Sequence, residues 1–554
     1  MLVDKKDTKT KYIVMTGGVL SGVGKGTATA SIGRLLQEQG FRINLMKIDP
    51  YVNVDAGTMR PTEHGEVFVT HDGGETDQDI GNYERFLDKE FSRKNNITTG
   101  QVFMNVIKKE RNLHYAGECV SMIPHIPDEV KRRIRKSSEE DDADFTIIEV
   151  GGTTGDHENV LFLEALREMK LEKEDIIFVH IVYLPVPGNI GEMKTKPAQH
   201  SVRYLNSVGI QPDFLLGRGS KPLDSVRRTK LANFSNMPEN HVFSAPDIDS
   251  IYDIPINFDK EHFTKMILDK FGLEHKEGTL EEWKKRSEKI KRLKRDGRKM
   301  NIGIVGKYFD IGDFVLEDSY VSVIEAIKHA SYHNNVYPEI SWIDSKNCEE
   351  YSETHFLEQY DGIIVPGGFG ATGVEGKINA IRFCREKGKP FLGLCYGLQL
   401  AVVEFARNVC KINAHTTEID KQTEHPIIDI LPEQRELLRR KKYGASMRLG
   451  NYVALLEKGS KTASLYKKEN AVERHRHRYE VNPKYMNLLV ENGLRISGKS
   501  PDGKLVEFIE MDEHPFFLAT QAHPEFTSRL ERPNPVFLGL IRAMKEKKSG
   551  KKQQ

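Results

Sequence analysis

Met15-Thr-Gly-Gly-Val-Leu-Ser-Gly-Val-Gly-Lys-Gly-Thr27 follows the apolar run Lys11-Tyr-Ile-Val-Met15 and precedes Ala28-Thr-Ala-Ser-Ile-Gly-Arg-Leu-Leu-Gln-Glu-Gln-Gly40. The first run reads as a buried strand. The last is apolar at helical spacing and closes on a glycine. Strand, glycine-rich loop and helix together make the setting of a phosphate loop. Backbone N–H groups face a polyphosphate, glycines let it approach, and the helix N-terminus adds a favourable field. Lys25 supplies the point charge. The spacing departs from the strict pattern: five residues separate Gly18 from Gly24, and Gly26 stands between Lys25 and Thr27.

Working outward, residues 11–270 alternate strand-like runs with helical patterns. Ile43-Asn-Leu-Met-Lys-Ile48, Phe145-Thr-Ile-Ile-Glu-Val150, Ile176 to Leu184 and Phe214-Leu-Leu-Gly217 are the clearest strands. That rhythm predicts a parallel sheet with helices on both faces. Residues 276–299 turn polar and basic and read as a charged helical linker with a solvated face. From Met300 the α/β rhythm restarts, with Asn301-Ile-Gly-Ile-Val-Gly306, Gly362-Ile-Ile-Val-Pro366 and Pro390-Phe-Leu-Gly-Leu394. The expectation is an α/β protein of two doubly wound, mainly parallel-sheet domains, 1–275 and 300–545, joined by the linker 276–299. A lysine-rich tail, 546–554, is expected to be disordered.

Composition narrows the function. A chain of 554 residues needs more than one core. Its net charge of +1 gives no basic stripe for nucleic acid. There is no apolar run of about 18 residues, as a membrane span needs, and no apolar leader at the N-terminus. Five cysteines, Cys119, Cys348, Cys384, Cys395 and Cys410, show no paired spacing. Such a set suits a reducing cytoplasm, with at most one thiol performing chemistry.

A phosphate loop calls for Mg2+ to bridge phosphate oxygens. Two acidic stretches can supply it: Asp72-Gly-Gly-Glu-Thr-Asp-Gln-Asp79, and Glu149 at the end of a strand. Lys47 also ends a strand and can reach the same polyphosphate. Lys194-Thr-Lys-Pro-Ala-Gln199 is a second cationic cluster, with an amide able to read a base edge.

In the second half, Pro390-Phe-Leu-Gly-Leu-Cys395-Tyr-Gly-Leu-Gln399 has the layout of a nucleophile elbow with sulfur in place of oxygen. Backbone N–H groups of Tyr396 and of Gly368, in Val365-Pro-Gly-Gly-Phe-Gly370, suit an oxyanion hole. Gln521-Ala-His523-Pro-Glu525 supplies a base and its orienting acid, because alternate residues of an extended segment point alike.

Gly17-Gly-Val-Leu-Ser-Gly-Val-Gly-Lys-Gly26, Lys47-Ile-Asp-Pro-Tyr-Val-Asn-Val-Asp55, His64-Gly-Glu-Val-Phe-Val-Thr70, Glu75-Thr-Asp-Gln-Asp-Ile-Gly-Asn-Tyr-Glu-Arg-Phe86, Glu149-Val-Gly-Gly-Thr153 and Lys194 to Gln199 stand in an order that resembles the CTP synthases. In that family, as in dethiobiotin synthetase, the loop departs from the strict pattern in the same way. The second half, over about residues 300–545, resembles class I glutamine amidotransferase domains.

The resemblance implies ATP-dependent amination of UTP to CTP through 4-phosphorylated UTP, with ammonia made from glutamine and led to it through a water-poor passage. It implies Cys395, His523 and Glu525 as catalytic residues. Gly22, Val23, Gly24, Lys25, Gly26, Thr27, Lys47, Asp79, Pro246, Asp247 and Ile248 would bind ATP. Asp79 and Glu149 would hold Mg2+. Ser21, Asp156, His157, Glu158, Lys194, Thr195, Lys196, Pro197, Ala198, Gln199 and Lys230 would form the site for UTP or the feedback inhibitor CTP. Gly368, Tyr396, Gly397, Leu398, Gln399, Glu418 and Arg476 would bind glutamine, with Arg474 and Arg478 as alternatives to Arg476.

A cytoplasmic homotetramer with GTP as activator is implied as well. Thr372 stands where the family usually carries an arginine linked to GTP, so activation of unusual strength is expected. Other readings are an amidotransferase of the cobyrinate type and a non-enzymatic, glutamine-sensing phosphate-loop scaffold.

Overall fold

The computed structural model describes residues 9–188, 191–306, 317–430, 444 and 447–550. The chain divides into two compact units. Unit 1 comprises Met1–Asp55 with Asp79–Glu288, and unit 2 comprises Ala56–Gln78 with Lys289–Gln554. Residues 56–78, inside the stretch assigned above to the first domain, thus pack in unit 2.

Unit 1 begins with β1 (Lys11–Gly18), the helix Lys25–Glu38 and β2 (Ile43–Asp49). The chain then leaves for unit 2, where β3 (Phe68–Val69) and β4 (Glu75–Thr76) pair antiparallel. Back in unit 1 follow β5 (Asn96–Thr98), β6 (Phe145–Val150), β7 (Ile176–Tyr183), β8 (Phe214–Gly219) and β9 (Val242–Pro246). Among the described residues these form a seven-stranded sheet in the order β5-β2-β6-β1-β7-β8-β9. Every pairing in it is parallel. β2 and β6 are buried along their whole length, as strands covered on both faces must be. β1 lies at the centre, with crossovers departing on either side, so the loop after it opens where the strand order reverses. Parallel sheets bind ligands at that crevice.

Unit 2 carries β10 (Arg298–Gly306), β11 (Val336–Asp344), β12 (Gly362–Val365), β13 (Phe391–Leu394), β14 (Ala414–Thr416), β15 (His425–Ile430), β16 (Arg448–Leu456), β17 (Asn470–His477), β18 (Tyr479–Val481), β19 (Arg495–Lys499), β20 (Val506–Glu510) and β21 (Phe517–Thr520). Nine of them form one sheet, β11-β10-β12-β13-β21-β20-β19-β16-β17. The run from β11 to β21 is parallel, and the remaining pairings are antiparallel. Alternate residues feed opposite cores. Ile363, Val365 and Phe391 pack on one face, Ile364, Leu392 and Leu394 on the other. Each such buried aliphatic side chain contributes about 1.5–3 kcal/mol.

The charged stretch 276–299 is helical over Glu281–Asp296. Its polar composition hides one anchored face. Trp283 is buried, donates to the Tyr252 carbonyl at 2.8 Å and lies under the Arg34 guanidinium. The lysine-rich end also differs from expectation. The helix Pro535–Lys548 runs into it, because Lys545 and Lys547 donate to the carbonyls of Asn334 and Gly388 and Lys548 pairs with Asp361. Residues 551–554 of the expected disordered tail lie outside the described residues.

One buried ionic cluster ties the antiparallel side of unit 2 together. Arg448 of β16 donates to Glu480 of β18 at 3.2 Å and to Glu507 of β20 at 2.6 Å. His475 and His477 of β17 lie 3.5 and 3.4 Å from Glu507 and Glu480. Burial pushes both imidazoles down and the Glu480 and Glu507 carboxyls up, and one arginine serves the two acids. Removing the arginine strands buried acid. Arg448→Met is expected to cost about 3–5 kcal/mol in urea unfolding, and Glu480→Gln, which keeps shape and removes charge, much less.

Candidate functional site

Three adjacent parallel strands of unit 2 deliver one catalytic group each. β12 runs into the loop carrying Gly367 and Gly368, β13 into Cys395, and β21 into His523. Leu394 pairs with Thr520, and the Cys395 N–H donates to the Thr520 carbonyl at 2.7 Å. The nucleophile and base, far apart in sequence, thereby leave the same sheet edge side by side. Cys395 has φ 51°, a conformation that L residues seldom adopt, between β13 and the helix Tyr396–Asn408. This is the sharp elbow that presents Sγ. Tyr396 begins the helix, so its N–H is one that the helix cannot satisfy and can face an oxyanion.

Glu525 Oε1 is 2.7 Å from His523 Nδ1, which orients the ring and leaves Nε2 for the thiol. Burial alone would push the imidazole down. The Glu525 and Cys395 charges outweigh it and push His523 up to about 10. The base therefore stands as an imidazolium beside the sulfur. Two other thiols lie in apolar surroundings: burial pushes Cys348 up to about 12 and Cys384 further still. Those two stay protonated and inert. Gly367 is required by space, since a Cβ there would stand 2.8 Å from His523 Cε1.

These groups open into a cavity of about 370 Å³, the size of a small-ligand pocket. Gly368, Cys395, Gln399, Glu418, Arg476, His477, Arg478, Tyr479 and His523 line it. Gln399 donates to the Tyr479 carbonyl at 2.9 Å. Glu418 accepts from the Gly370 N–H at 2.9 Å, and the Tyr396 hydroxyl donates to the Gly370 carbonyl at 3.1 Å. Gly397 and Leu398 are buried in the helix behind the nucleophile.

The three arginines of β17 and its continuation go to different places. Arg474 is buried and donates to the Val69 carbonyl at 3.0 Å. Arg476 donates to Glu75 Oε1 at 2.8 Å and to the Gly57 carbonyl at 3.1 Å. Arg478 lines the cavity. Sequence reading missed Glu75 as the partner of Arg476. It also missed Gln521, whose Nε2 reaches Cys395 Sγ at 3.7 Å, although that residue stands in the quoted Gln-Ala-His motif.

Unit 1 gathers its groups at the C-terminal sheet edge. Lys25 Nζ donates to the Gly152 carbonyl at 2.8 Å, beyond β6, and the Thr27 hydroxyl donates to the Gly24 carbonyl at 3.2 Å. Lys47 Nζ pairs with Glu149 Oε1 at 2.7 Å and with Asp79. Tyr83 donates to the other Glu149 oxygen. Gly26 packs so close to Asp79 that a Cβ would fall on the carboxylate.

The buried Glu149 and the partly buried Asp79 beside a phosphate loop suit Mg2+, a hard cation that takes oxygen ligands and often uses only one or two from protein. Burial and Asp79 push the Glu149 carboxyl up, so the pair favours a cation between them. Arg218, not foreseen, donates to the Val23 carbonyl at 3.0 Å and pairs with Asp247 at 3.2 Å, linking loop to β9. Pro246 ends β9, and the Asp247 N–H donates to Gly219, with Ile248 next in the chain.

The expected second nucleotide site follows on the same edge. Ser21, Asp156, His157, Glu158, Lys196 and Lys230 are exposed. Asp156 accepts from the Thr153 N–H at 2.7 Å, and Lys194 pairs with Glu192 at 2.7 Å. Thr195 and Gln199 join at 3.1 Å at the start of the helix Lys196–Ser207, where Pro197 and Ala198 form its first turn.

A phosphate-loop unit and a cysteine glutaminase of the class I type on one chain define an amidotransferase. Residues 11–273 match the family model described as CTP synthase N-terminus, and residues 315–543 match glutamine amidotransferase class-I. The CTP synthase of Methanococcus maripaludis is 49% identical, covering 97% of this chain and 100% of its own length. That of Pyrococcus furiosus is 50% identical, covering 98% and 99%. Among solved structures, the Trypanosoma brucei CTPS glutaminase domain with bound acivicin is 36% identical, covering 46% of this chain and 96% of that one, with a TM-score of 0.41. The chain belongs to the CTP synthase family.

Glu525 sustains the imidazolium. Glu525→Gln is expected to move the alkaline limb of kcat/KM for glutamine hydrolysis to lower pH, since His523 loses the charge that holds its proton. The pH profile between about 6 and 10 checks this.

Proposed function

We propose that this chain makes CTP from UTP, ATP and glutamine, releasing glutamate, ADP and phosphate. The carrying observation is the delivery of Cys395, His523 and the Gly367-Gly368 loop by neighbouring strands, on a chain matched along nearly its whole length by CTP synthases. Cys395 attacks the glutamine carboxamide carbon. The Gly368 and Tyr396 N–H groups receive the oxyanion, and His523 gives its proton to the departing ammonia. Water then cleaves the thioester, with His523 as base.

We assign the substrate α-ammonium to Glu418 and the α-carboxylate to Arg476 or Arg478, both of which line the cavity. Gln399 Oε1, buried without a partner at the cavity, is an acceptor for the substrate amide.

In unit 1 the phosphate loop Gly22–Thr27, Lys25 and Lys47 hold ATP, with Pro246, Asp247 and Ile248 at the adenine. The γ-phosphoryl passes to O4 of UTP, turning a poor leaving group into a phosphate ester that ammonia displaces. Asp79 and Glu149 would hold Mg2+, which offsets charge on the transferring phosphoryl. Ser21, Asp156 to Glu158, Lys194 to Gln199 and Lys230 bind UTP, and CTP as inhibitor. The exposure of many of these groups supports a site completed by a second copy, in keeping with a homotetramer. GTP acts as an activator, altered in strength by Thr372. We assign the chain to the cytoplasm. No helix among the described residues is long and apolar enough to cross a membrane.

Cys395→Ala is expected to abolish CTP formation from glutamine and keep it from ammonium salts. Lys25→Ala is expected to lose both. Absorbance change on UTP amination, with ATP and magnesium, reads each. Glutamine-driven synthesis surviving in Cys395→Ala would overturn the assignment.

A further inference from the structure

We infer that residues 56–78 act as a positioning clamp for the glutaminase centre, with Phe68 and Glu75 as its two positioning residues. This rests on the glutaminase reading above and extends it to residues far from the elbow in sequence.

Phe68 and Glu75 lie on the two strands of one small hairpin, in which Phe68 pairs with Thr76 and Val69 with Glu75. From it two lines of contact reach the catalytic atoms. In the first, the His523 ring stacks on Phe526, with centroids 5.2 Å apart and planes 16° from parallel. Phe526 meets Phe68 edge to face at 5.0 Å. The Arg474 guanidinium lies over Phe68 at 5.3 Å and donates to the Val69 carbonyl. The Arg474 carbonyl in turn accepts the His523 N–H at 2.7 Å. The contacts close a circuit: His523, Phe526, Phe68, Arg474 and back to His523.

In the second line, the Arg476 guanidinium is held by Glu75 and Gly57, while the Arg476 carbonyl faces Cys395 Sγ at 3.9 Å. β17 thus touches the base and the nucleophile through its backbone, and the hairpin grips its arginines. The opposite face of β17 carries His475 and His477 in the buried ionic cluster. A strand held on both faces fixes its carbonyls.

The physical case is one of tolerance. A base must stay within about 0.5 Å of its productive place, and a shift of about 1 Å costs up to about a hundredfold in rate. His523 sits on a short turn, with Phe526 against its ring face. That ring also favours the imidazolium, through the negative face of an aromatic. Phe68 backs Phe526 edge to face on one side while the His523 ring covers its face. Glu75 is buried, and among the described residues its Oε1 is held by Arg476 while its Oε2 has no hydrogen-bond partner. The groups facing the His523 charge are Glu525, Cys395, His475 and His477, and Phe68 is none of them. Its influence is therefore geometric.

The test uses the full chain with Phe68→Leu, Phe68→Tyr and Glu75→Gln. Glutamate release gives kcat and KM for glutamine, and CTP formation from ammonium salt reports on unit 1 and on folding. Phe68→Leu is expected to lower kcat for glutamine by about tenfold to a hundredfold, with KM within about twofold. It should also move the alkaline loss of kcat to lower pH as Phe526 leaves the imidazolium. Phe68→Tyr should restore most of the rate, and Glu75→Gln should lower kcat in the same sense. Ammonium-driven synthesis should stay at the unmutated level in Phe68→Leu. Unchanged glutamine turnover in Phe68→Leu, a change in KM alone, or equal losses with glutamine and with ammonium would each overturn the clamp. Failure of the unmutated chain to hydrolyse glutamine would instead overturn the underlying reading.

Discussion

The hydrogen bond from the Cys395 N–H to the Thr520 carbonyl continues the pairing of β13 with β21 one step past the end of the sheet. A slip of one residue in that parallel register would turn His523 to the opposite face, away from the sulfur. The flanking register of β12 on β13 sets the oxyanion loop by the same logic. Chemistry at the sheet edge therefore rests on interior strands whose side chains are buried on both faces, where register is most strongly specified. The strained φ of Cys395 is tolerated because the neighbouring strands and the helix behind it leave the residue no other course.

Unit 1 uses the same architecture for a different chemistry. Its central strand ends in glycines, and the helix that follows turns its N-terminus to the loop. Positive groups, Lys25, Lys47 and Arg218, converge with two acids, Asp79 and Glu149, at that edge. The lysines satisfy carbonyls and carboxylates. The same groups are those a polyphosphate and its cation would draw on. Burial raises the cost of leaving either sign uncompensated, so the site holds its balance internally.

Charge is managed differently in the glutaminase centre. The imidazolium of His523 is sustained by one carboxylate and by the sulfur, while His475 and His477 nearby remain neutral. Three histidines within one cluster thus have separate protonation states. The difference arises from partners: Glu525 bonds His523 directly at 2.7 Å, whereas burial and then the Arg448 charge push the other two rings down. The arrangement keeps the imidazolium proton beside the reacting sulfur.

Much of this was legible in the residues themselves. The strand–loop–helix at Lys11 to Glu38, the elbow at Cys395 and the His-Pro-Glu turn are local patterns, and local patterns follow from backbone sterics and spacing. The parallel sheet of unit 1 and the parallel run of the mixed sheet of unit 2 were readable from uninterrupted apolar runs; the antiparallel half of the second sheet was not. What the chain order concealed was the company each residue keeps. Residues 56–78 sit in unit 2 although their neighbours in sequence build unit 1, and no periodicity signals such an excursion. The anchored face of Glu281–Asp296 was masked because one tryptophan among many charges carries the burial. That Arg476 and Arg478 line the cavity while Arg474 is buried against Val69 could not be read from a strand of alternating charges, since alternation gives faces but not their partners. Local chemistry, then, was settled by sequence. Partnership was settled by tertiary packing, because ion pairs and ring contacts depend on distances that only the folded chain sets.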